Sequence, residues 1–410
     1  MRSLTHYLRV RTAKAKGALR ARAPLSIAQL KRKPVLAIDA RSAQQSGYGV
    51  ATYSTGLISH LHTLTSKYDF VFVVEKGKDI PTNIFPPNSR FLETAAGKGD
   101  IWTRDLFEQV VLPARLSRLH VDLYHGLDYY IPIVRTPFLK VATFHDACVF
   151  TPEDDRSRIS RARLTFLLRR MADSADAIVT DSEYSRVQLG RYLQSTRHKT
   201  TAIWCGLLDE FVSPETQDVD QGVDHLSLNT EFILYYGGYA KRKRVDLLLQ
   251  AFQRVRSLKS VSLVLVGEIE GKKRERLQNV VAALGLTDAV TFFGFATRTQ
   301  LRELLQRCAA FVFPSAMEGF GLPVAEALAS GAAVVCSRAG SLPEIGGNAV
   351  RYFTVPDAAE LSAAILDVLD NAALRQQLRA NASRRAGDFT WCRHLDQLHL
   401  VYDGLLRRER

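Results

Sequence analysis

At 410 residues the chain is too long for one ordinary hydrophobic core, and its length predicts two domains of roughly 200 residues each. Hydrophobic residues make up 46% of the sequence, as in globular proteins, and no apolar run approaches the ~18 residues of a membrane span. These features exclude an integral membrane protein. Because no signal-peptide pattern follows Met1, we expect a cytoplasmic location.

The net charge of +13 is concentrated at the start of the chain. Residues 1–33 contain ten Lys or Arg and no Asp or Glu, which leaves the rest of the chain nearly balanced. Apolar residues recur at helical spacing within this basic arm, so it could bind the anionic inner surface of a cell membrane. An inert solvated arm is an equally good interpretation. Nucleic-acid binding is disfavoured because no base-stacking or groove-reading motif accompanies the charge.

A first α/β domain is predicted over residues 34–212. Short apolar stretches alternate with helical ones, which is typical of a parallel sheet covered by helices on both faces. The predicted strands are Val35–Asp39, Phe70–Val74, Leu123–His125, Val141–Phe144, Ala177–Thr180 and Ala202–Trp204. The loop after the first strand carries Gly47 and Gly49, whose backbone N–H groups can approach a phosphate or sugar closely. A plain turn explains this pair of glycines equally well.

His145 ends another strand of this domain, in the sequence Thr143-Phe144-His145-Asp146. The carboxyl ends of parallel strands face the ligand crevice, so we expect the imidazole there, within reach of a sugar hydroxyl or a phosphate. Asp146 could fix the tautomer of His145. A histidine at a strand end is often structural, and its position at the cleft favours the functional interpretation.

Residues 213–229 are acidic and lack apolar periodicity, so they predict a linker before a second doubly wound domain over residues 230–410. Its predicted strands are Phe232–Tyr236, Ser262–Val266, Val290–Phe293, Ala310–Phe313 and Ala333–Cys336. The first of these leads into two glycines and four consecutive cations, among which Arg242 and Lys243 are the candidates for binding a diphosphate. A solvated basic turn is the alternative. Two weaker candidates, Gly267 and Phe295, follow later strands, where backbone groups could read the edge of a base.

The segment from Phe311 to Gly331, FVFPSAMEGFGLPVAEALASG, predicts a strand, a glycine turn and a helix. An anion is favoured at the helix start because the N–H groups there are free and the dipole is positive. Glu326 falls one turn into the helix, where its carboxylate can accept hydrogen bonds from a vicinal diol such as a ribose. Glu318, in the loop, faces whatever lies beyond the phosphates. Phosphate, ribose and a further group together describe a nucleotide sugar.

The structural alternative is that Glu318 caps the helix and Glu326 faces solvent. The neighbours of Glu326 are apolar on nearly every side, which makes an exposed face hard to find. The sequence has no cluster of residues at metal-ligand spacing, and its five cysteines are scattered singly. We therefore expect no metal and no other cofactor.

Taken together, these motifs resemble those of the family 4 retaining glycosyltransferases of GT-B fold, over about residues 35–405. The matching segments are PSAMEGFGLPVAEALASG, DAR with SGYGVATY, TFHD, TDSEYSR and GGYAKRKR. The resemblance implies an α/β protein with two Rossmann-like doubly wound domains facing across a cleft. The first would be the acceptor-side domain and the second the nucleotide-sugar-binding domain, with the last helix able to cross back to the first.

The resemblance also implies roles for individual residues, with His145 and Glu318 in the catalytic centre. The implied donor-binding residues are Gly47, Gly49, Arg242, Lys243, Gly319, Phe320, Gly321, Leu322 and Glu326. The chain departs from the family pattern at Trp204-Cys205-Gly206 and at Gly237-Gly238, where many relatives have Pro-Asn-Gly and Gly-Arg.

The resemblance extends to bacterial surface-polysaccharide mannosyltransferases, so GDP-mannose is the expected donor and a saccharide or lipid-linked oligosaccharide the expected acceptor. It implies retention at the anomeric carbon, and the absence of a convincing covalent nucleophile favours front-face attack over the two-carboxylate scheme. Two alternatives are a sugar-nucleotide epimerase of the same architecture and a non-catalytic subunit that binds a nucleotide sugar. The epimerases lack this glutamate pair, and the joint presence of the site residues argues against lost activity.

Overall fold

The computed structural model describes residues 32–45, 49–78, 82–94, 106–212 and 231–408. The predicted linker, most of the basic arm and Gly47 lie outside the described residues. Among the helices described, none is long and apolar enough to cross a membrane.

The first domain is built on a parallel sheet of seven strands in the order β3-β2-β1-β4-β5-β6-β7. Its central strands are mostly apolar and buried on both faces, because helices cover the sheet above and below. The strands β1 to β7 are Val35–Asp39, Asp69–Glu75, Arg90–Thr94, Leu123–Gly126, Leu139–Phe144, Ala177–Thr180 and Thr200–Ala202. The helices around them, α1 to α5, are Val50–His60, Leu112–Arg118, Arg158–Ser174, Glu183–Tyr192 and Asp209–Val212. A π-helical turn, Phe107–Val111, precedes α2.

The second domain is built on a parallel sheet of six strands in the order β10-β9-β8-β11-β12-β13. The strands β8 to β13 are Phe232–Tyr236, Ser262–Val266, Val290–Gly294, Ala310–Phe313, Val334–Ser337 and Val350–Phe353. The helices α6 to α13 are Val245–Arg256, Gly271–Ala283, Arg298–Arg307, Leu322–Ala329, Leu342–Gly346, Ala358–Asp370, Ala372–Ala386 and Trp391–Arg408. Two doubly wound domains are therefore present, as the alternation of strands and helices predicts.

Each sheet has one point where the strand order reverses, between β1 and β4 in the first domain and between β8 and β11 in the second. Ligands of doubly wound sheets bind beyond the carboxyl ends of the strands at such a point. The loops at the two switch points face each other, and this arrangement positions the site described below.

The last helix, α13, belongs to the second domain in sequence but packs on the first. Trp391 at its start fills the space beside two glycines of the first domain, Gly56 and Gly206, where an added Cβ would overlap the indole ring. Further along the helix, the Tyr402 hydroxyl is hydrogen-bonded to Nδ1 of the buried His125 ring at 2.6 Å. Gly206 thus has a packing role that explains part of the unusual Trp204-Cys205-Gly206 sequence.

Candidate functional site

A cleft of about 320 Å³ separates the carboxyl ends of the two sheets. The first domain lines it with Gly49, Val50, Tyr53, His145, Asp146, Asp181 and Cys205. The second domain contributes Tyr236, Gly237, Gly238, Ala240, Arg242, Lys243, Glu318, Gly319, Phe320, Gly321, Leu322 and Pro323. The structure therefore brings together, in one cleft, most of the site residues that the sequence predicts.

Glu318 is the hub of a charged cluster on the second-domain wall. Its Oε1 accepts hydrogen bonds from Lys243 Nζ at 2.7 Å, from Arg242 Nη1 at 3.1 Å and from Ser315 Oγ at 2.5 Å. Burial alone would raise the pKa of Glu318, but the charges of Lys243 and Arg242 outweigh it and hold the pKa below its usual value. Glu318 is thus an anion beside two cations, and the cluster carries one net positive charge.

Lys243 is itself buried, with its ammonium 5.0 Å from the centroid of the Phe313 ring. Burial lowers the pKa of Lys243, against the opposing effect of the Glu318 carboxylate. The sequence assigned the two cations and Glu318 to different parts of a donor, whereas the structure pairs them directly. An incoming diphosphate would share these cations with Glu318, which couples the two parts of the site.

The helix α9 begins at the wall of the cleft. Its N-cap, Gly321, has φ 98°, and no side chain caps the helix start. A positive φ of this kind is accessible to glycine at little cost, and a side chain here would also meet Leu342. The open helix start can accept the negative charge of a phosphate.

Glu326 lies in α9 but is not among the residues that line the cleft. It is 2% exposed, and the Tyr236 hydroxyl donates a hydrogen bond to its Oε2 at 2.9 Å. Burial raises the pKa of Glu326 to about 8, despite the opposing hydrogen bond from Tyr236. The carboxyl group therefore sits behind Tyr236, which does line the cleft, and its assignment to the ribose stays a prediction.

His145 is held by two acceptors. Its Nδ1 lies 2.6 Å from Asp181 Oδ2, and its Nε2 lies 2.8 Å from the carbonyl oxygen of Leu127. Two acceptors require both ring nitrogens to carry a proton, which is the imidazolium form. Burial would lower the pKa of His145, but the Asp181 carboxylate outweighs it and raises the pKa to about 9. The ring is therefore a cation at neutral pH, with its edge against Tyr53.

The expectation that Asp146 fixes the His145 ring is wrong. Asp146 Oδ1 instead accepts the backbone N–H of Cys148 at 2.8 Å and so closes a local turn. Asp181 performs the role because β6, which it follows, lies beside β5 in the sheet. The sequence shows an acid at the end of the next predicted strand, but it does not show that this strand is the neighbour of β5.

The two weaker candidates are not among the residues that line the cleft. Gly267 has φ 140°, and an added Cβ would overlap the carbonyl oxygen of Gly237, so its conformation and packing require glycine. Phe295 is 53% exposed. Neither residue lines the cleft, and their assignment to base recognition stays a prediction.

The family model described as glycosyl transferases group 1 matches residues 219–385. An O-antigen chain mannosyltransferase B of Escherichia coli is 29% identical over 276 residues, which cover 66% of this chain and 71% of that protein. A serotype-specific mannosyltransferase WbdA of Escherichia coli is 26% identical over 322 residues, which cover 77% of this chain and 39% of that protein. The chain thus spans about two fifths of the length of this second relative.

The fold comparison covers nearly the whole chain. Sucrose-phosphate synthase from Thermosynechococcus elongatus superposes with a TM-score of 0.74 at 21% identity, covering 92% of this chain and 100% of that one. Most of the second domain, over residues 219–385, thus matches the group 1 glycosyltransferases. The resemblance stated from the motifs and the predicted GT-B fold are both confirmed.

The site of this glycosyltransferase also contains residues that the sequence did not single out. Ser182 and Ser185 at the start of α4 both donate to the carbonyl oxygen of Gly319, the latter at 3.0 Å. A Cβ on Gly319 would overlap the carbonyl oxygen of His145, so the two walls of the cleft touch here. TDSEYSR was recognised as a family segment, but nothing local in it indicates a contact with the other domain.

Glu344 of the second domain makes a second contact with the first. Its carboxylate accepts the N–H groups of Glu183 and Tyr184 at 2.8 and 3.0 Å and the indole N–H of Trp204 at 2.5 Å. A carboxylate at the start of α4 also interacts favourably with the positive end of that helix dipole. The two domains are therefore held closed over the cleft by charge-assisted hydrogen bonds.

Proposed function

We propose that this glycosyltransferase is a retaining hexosyltransferase that moves mannose from GDP-mannose to a saccharide or lipid-linked oligosaccharide in bacterial surface-polysaccharide synthesis. The observation that carries the proposal is the cluster of Arg242, Lys243 and Glu318 beside the open start of α9. Two relatives whose names state mannosyl transfer support mannose as the donor sugar. The proposed location is peripheral, at the inner face of the cell membrane.

The proposed chemistry begins with the leaving group. Arg242, Lys243 and the helix start stabilise the negative charge that grows on the diphosphate as the bond to the sugar breaks. Glu318 and the backbone of Gly319 orient the sugar, and the acceptor hydroxyl attacks from the face that the diphosphate leaves. The leaving phosphate oxygen accepts the proton of that hydroxyl, which yields retention without a covalent intermediate.

His145 contributes a positive charge from the first domain. Because both of its ring nitrogens already donate to Asp181 and Leu127, the ring acts on the donor through its charge and shape. The imidazolium would favour negative charge on the departing diphosphate. No metal is part of this scheme, and we expect transfer to continue in the presence of EDTA.

The test is release of nucleoside diphosphate from a panel of GDP- and UDP-sugars by the purified protein, with mannosylated lipid phosphates and simple mannosides as acceptors. We expect GDP release from GDP-mannose that increases with acceptor, and an α-linked product by NMR. Lys243→Ala should abolish most turnover, whereas Lys272→Ala, a charge change on an exposed helix face, should leave it unchanged. Release from a UDP-sugar alone, or an inverted product, would contradict the proposal.

A further inference from the structure

A second cavity, of about 500 Å³, adjoins the donor cleft on the second domain. Its walls are the loop after β8, the start of α6 and one face of α7, and Asp155 of the first domain closes its rim. Ala240 lines both this cavity and the donor cleft, whereas the other lining residues are distinct. The cavity is therefore a separate space that opens beside the reacting centre.

Three cations line the cavity, Lys241 from the loop and Lys273 and Arg276 from α7. Each is exposed, and within the described part of the chain none of them forms a hydrogen bond or an ion pair. Arg242 and Lys243, by contrast, are paired with Glu318 in the donor cleft. The carboxylates of Asp155 and Asp246 also line the cavity, so the cations exceed the acids by one.

A buried hydroxyl points to a missing partner. Tyr239 lines the cavity, and its Oη is buried without a hydrogen-bond partner in the described structure. A buried hydroxyl without a partner costs free energy unless a ligand or water satisfies it. Because the Oη is buried, a ligand in the cavity could accept from it only after the Tyr239 side chain turns. The three exposed cations can be reached directly, and a phosphate offers several oxygens to accept from them.

The rest of the lining is apolar, formed by Val245, Ile269, Leu277 and Val280. A cavity for free inorganic phosphate has no need of an apolar wall of this size, whereas a phosphate that carries a hydrocarbon group would bury that group there. The apolar wall and the cations thus favour one kind of ligand, an alkyl phosphate.

We propose that this cavity binds the phosphate and the adjoining hydrocarbon of an acceptor that carries an alkyl phosphate. The inference rests on the proposed glycosyl transfer, because only then does a phosphate beside the donor cleft belong to the acceptor. The acceptor's sugar end would extend past Ala240 into the cleft. Selectivity for phosphate-bearing acceptors would come from the second domain, on the donor side.

The test measures binding without turnover, using octyl phosphate, inorganic phosphate and octyl glucoside in separate calorimetric titrations. Saturating GDP blocks the donor diphosphate site in each titration. We expect octyl phosphate to bind at least about tenfold more tightly than either other probe, because only it has both the charge and the chain. Equal binding of inorganic and octyl phosphate would overturn the proposal in favour of a free-phosphate site, and equal binding of octyl glucoside would reduce the cavity to an apolar groove.

Substitutions in the cavity lining test whether octyl phosphate binds at this place. Lys273→Ala combined with Arg276→Ala should weaken octyl phosphate binding about tenfold or more, and Tyr239→Phe, which keeps the ring, should weaken it severalfold. Lys272→Ala on the same helix is the matched control, since Lys272 does not line the cavity, and should bind octyl phosphate like the parent. GDP affinity should stay the same in all variants. Unchanged octyl phosphate binding in the folded double variant would overturn the proposal.

The two proposals fail in different ways. If no nucleotide sugar is turned over but octyl phosphate binds and the variants weaken it, the proposed transferase function fails and the phosphate site remains. If transfer proceeds at equal catalytic efficiency with alkyl phosphate glycosides and with neutral alkyl glycosides, the acceptor inference fails and the transferase function remains.

Discussion

Two carboxyl groups eight residues apart meet opposite electrostatic surroundings in this site. Glu318 is kept ionised by Lys243 and Arg242, whereas burial raises the pKa of Glu326 to about 8. Sites that separate the pKa values of two similar groups usually give them different tasks. Glu318 can counter positive charge near the sugar, and Glu326 can be neutral until a ligand or a high pH removes its proton.

The raised pKa of Glu326 predicts a pH dependence of stability. A carboxyl whose pKa is higher in the folded state binds its proton more tightly there, so this contribution is present below about pH 4.5 and is lost as the pH rises through about 8. Compared with Glu326→Gln, the parent should therefore lose about 3 to 5 kcal/mol of unfolding free energy between pH 5 and pH 9. Urea denaturation of both proteins at several pH values measures this difference. If the difference in unfolding free energy between the parent and Glu326→Gln did not change with pH, the raised pKa of Glu326 would be contradicted.

The Asp181 and His145 pair predicts a second pH effect with the same sign. The pKa of His145 is raised to about 9, so the stabilisation by Asp181 is present below about pH 6.5 and is lost as the pH rises through about 9. Asp181→Asn should be less stable than the parent by about 3 kcal/mol near pH 6, and the gap should close by pH 10. Asp146→Asn is the control, and NMR titration of His145 should be shifted by the first substitution and not by the second.

The residues that the sequence identified in the site are those whose signal is local. Glu318 and Gly321 are marked by their spacing to a strand and a helix within twenty residues of chain. Asp181 and Glu344 reach the site from other elements, and their roles depend on which strands become neighbours. Pairing between separate elements is decided by tertiary packing, and no local pattern in one sequence reports it.

At the scale of elements, the sequence pattern predicts every interior strand and the edge strand β10, but not the edge strands β3 and β13. Two strands that were missed, Arg90–Thr94 and Val350–Phe353, lie at sheet edges and contain charged residues. The last strand of the first sheet was placed at Ala202–Trp204, whereas it spans Thr200–Ala202. An edge strand is half covered, so its composition is set as much by solvent as by the core.

The apolar residues after that last strand have a different partner, the helix α13. In the interior of α1, replacing Gly56 by alanine would normally stabilise the helix. Here the new Cβ would overlap the Trp391 ring, so we expect Gly56→Ala to lower the unfolding free energy by about 1 to 3 kcal/mol. Gly404→Ala on the exposed side of α13 meets no atom within contact distance and should stabilise the protein by up to about 1 kcal/mol. Thermal unfolding of the two variants gives the comparison. If Gly56→Ala were as stable as the parent, the Trp391 ring would be able to move aside without loss of stability.

At the scale of the whole molecule, we expect activity to depend on closure of the two domains. Arg242 and Lys243 stand on one wall and His145 on the other, so a single donor contacts both only when the cleft is closed. Glu344 holds that state through three donors of the first domain, and Arg244 pairs with Glu153 across the interface at 3.2 Å.

Glu344→Gln should shift the protein toward an open form. Removing the charge from a carboxylate with three donors weakens the contact by about 2 kcal/mol, which changes the ratio of closed to open forms more than tenfold. We expect a larger radius of gyration in small-angle X-ray scattering and a lower turnover number, both partly restored by saturating GDP. Asp367→Asn, which breaks an exposed ion pair with Arg351 inside the second domain, is the control. Identical scattering from Glu344→Gln and the parent would contradict the role given to Glu344.

The packing of α13 on the first domain has a consequence for how the chain folds as the ribosome makes it. All seven strands of the first sheet emerge before the second sheet is synthesised, but Tyr53, Tyr68 and His125 each have a hydrogen-bond partner on α13. Part of the interior of the first domain therefore stays uncovered until α13 has left the exit tunnel. During that interval its exposed apolar surface is available to chaperones, and the emergence of α13, not completion of the first sheet, sets the moment at which the first domain becomes native.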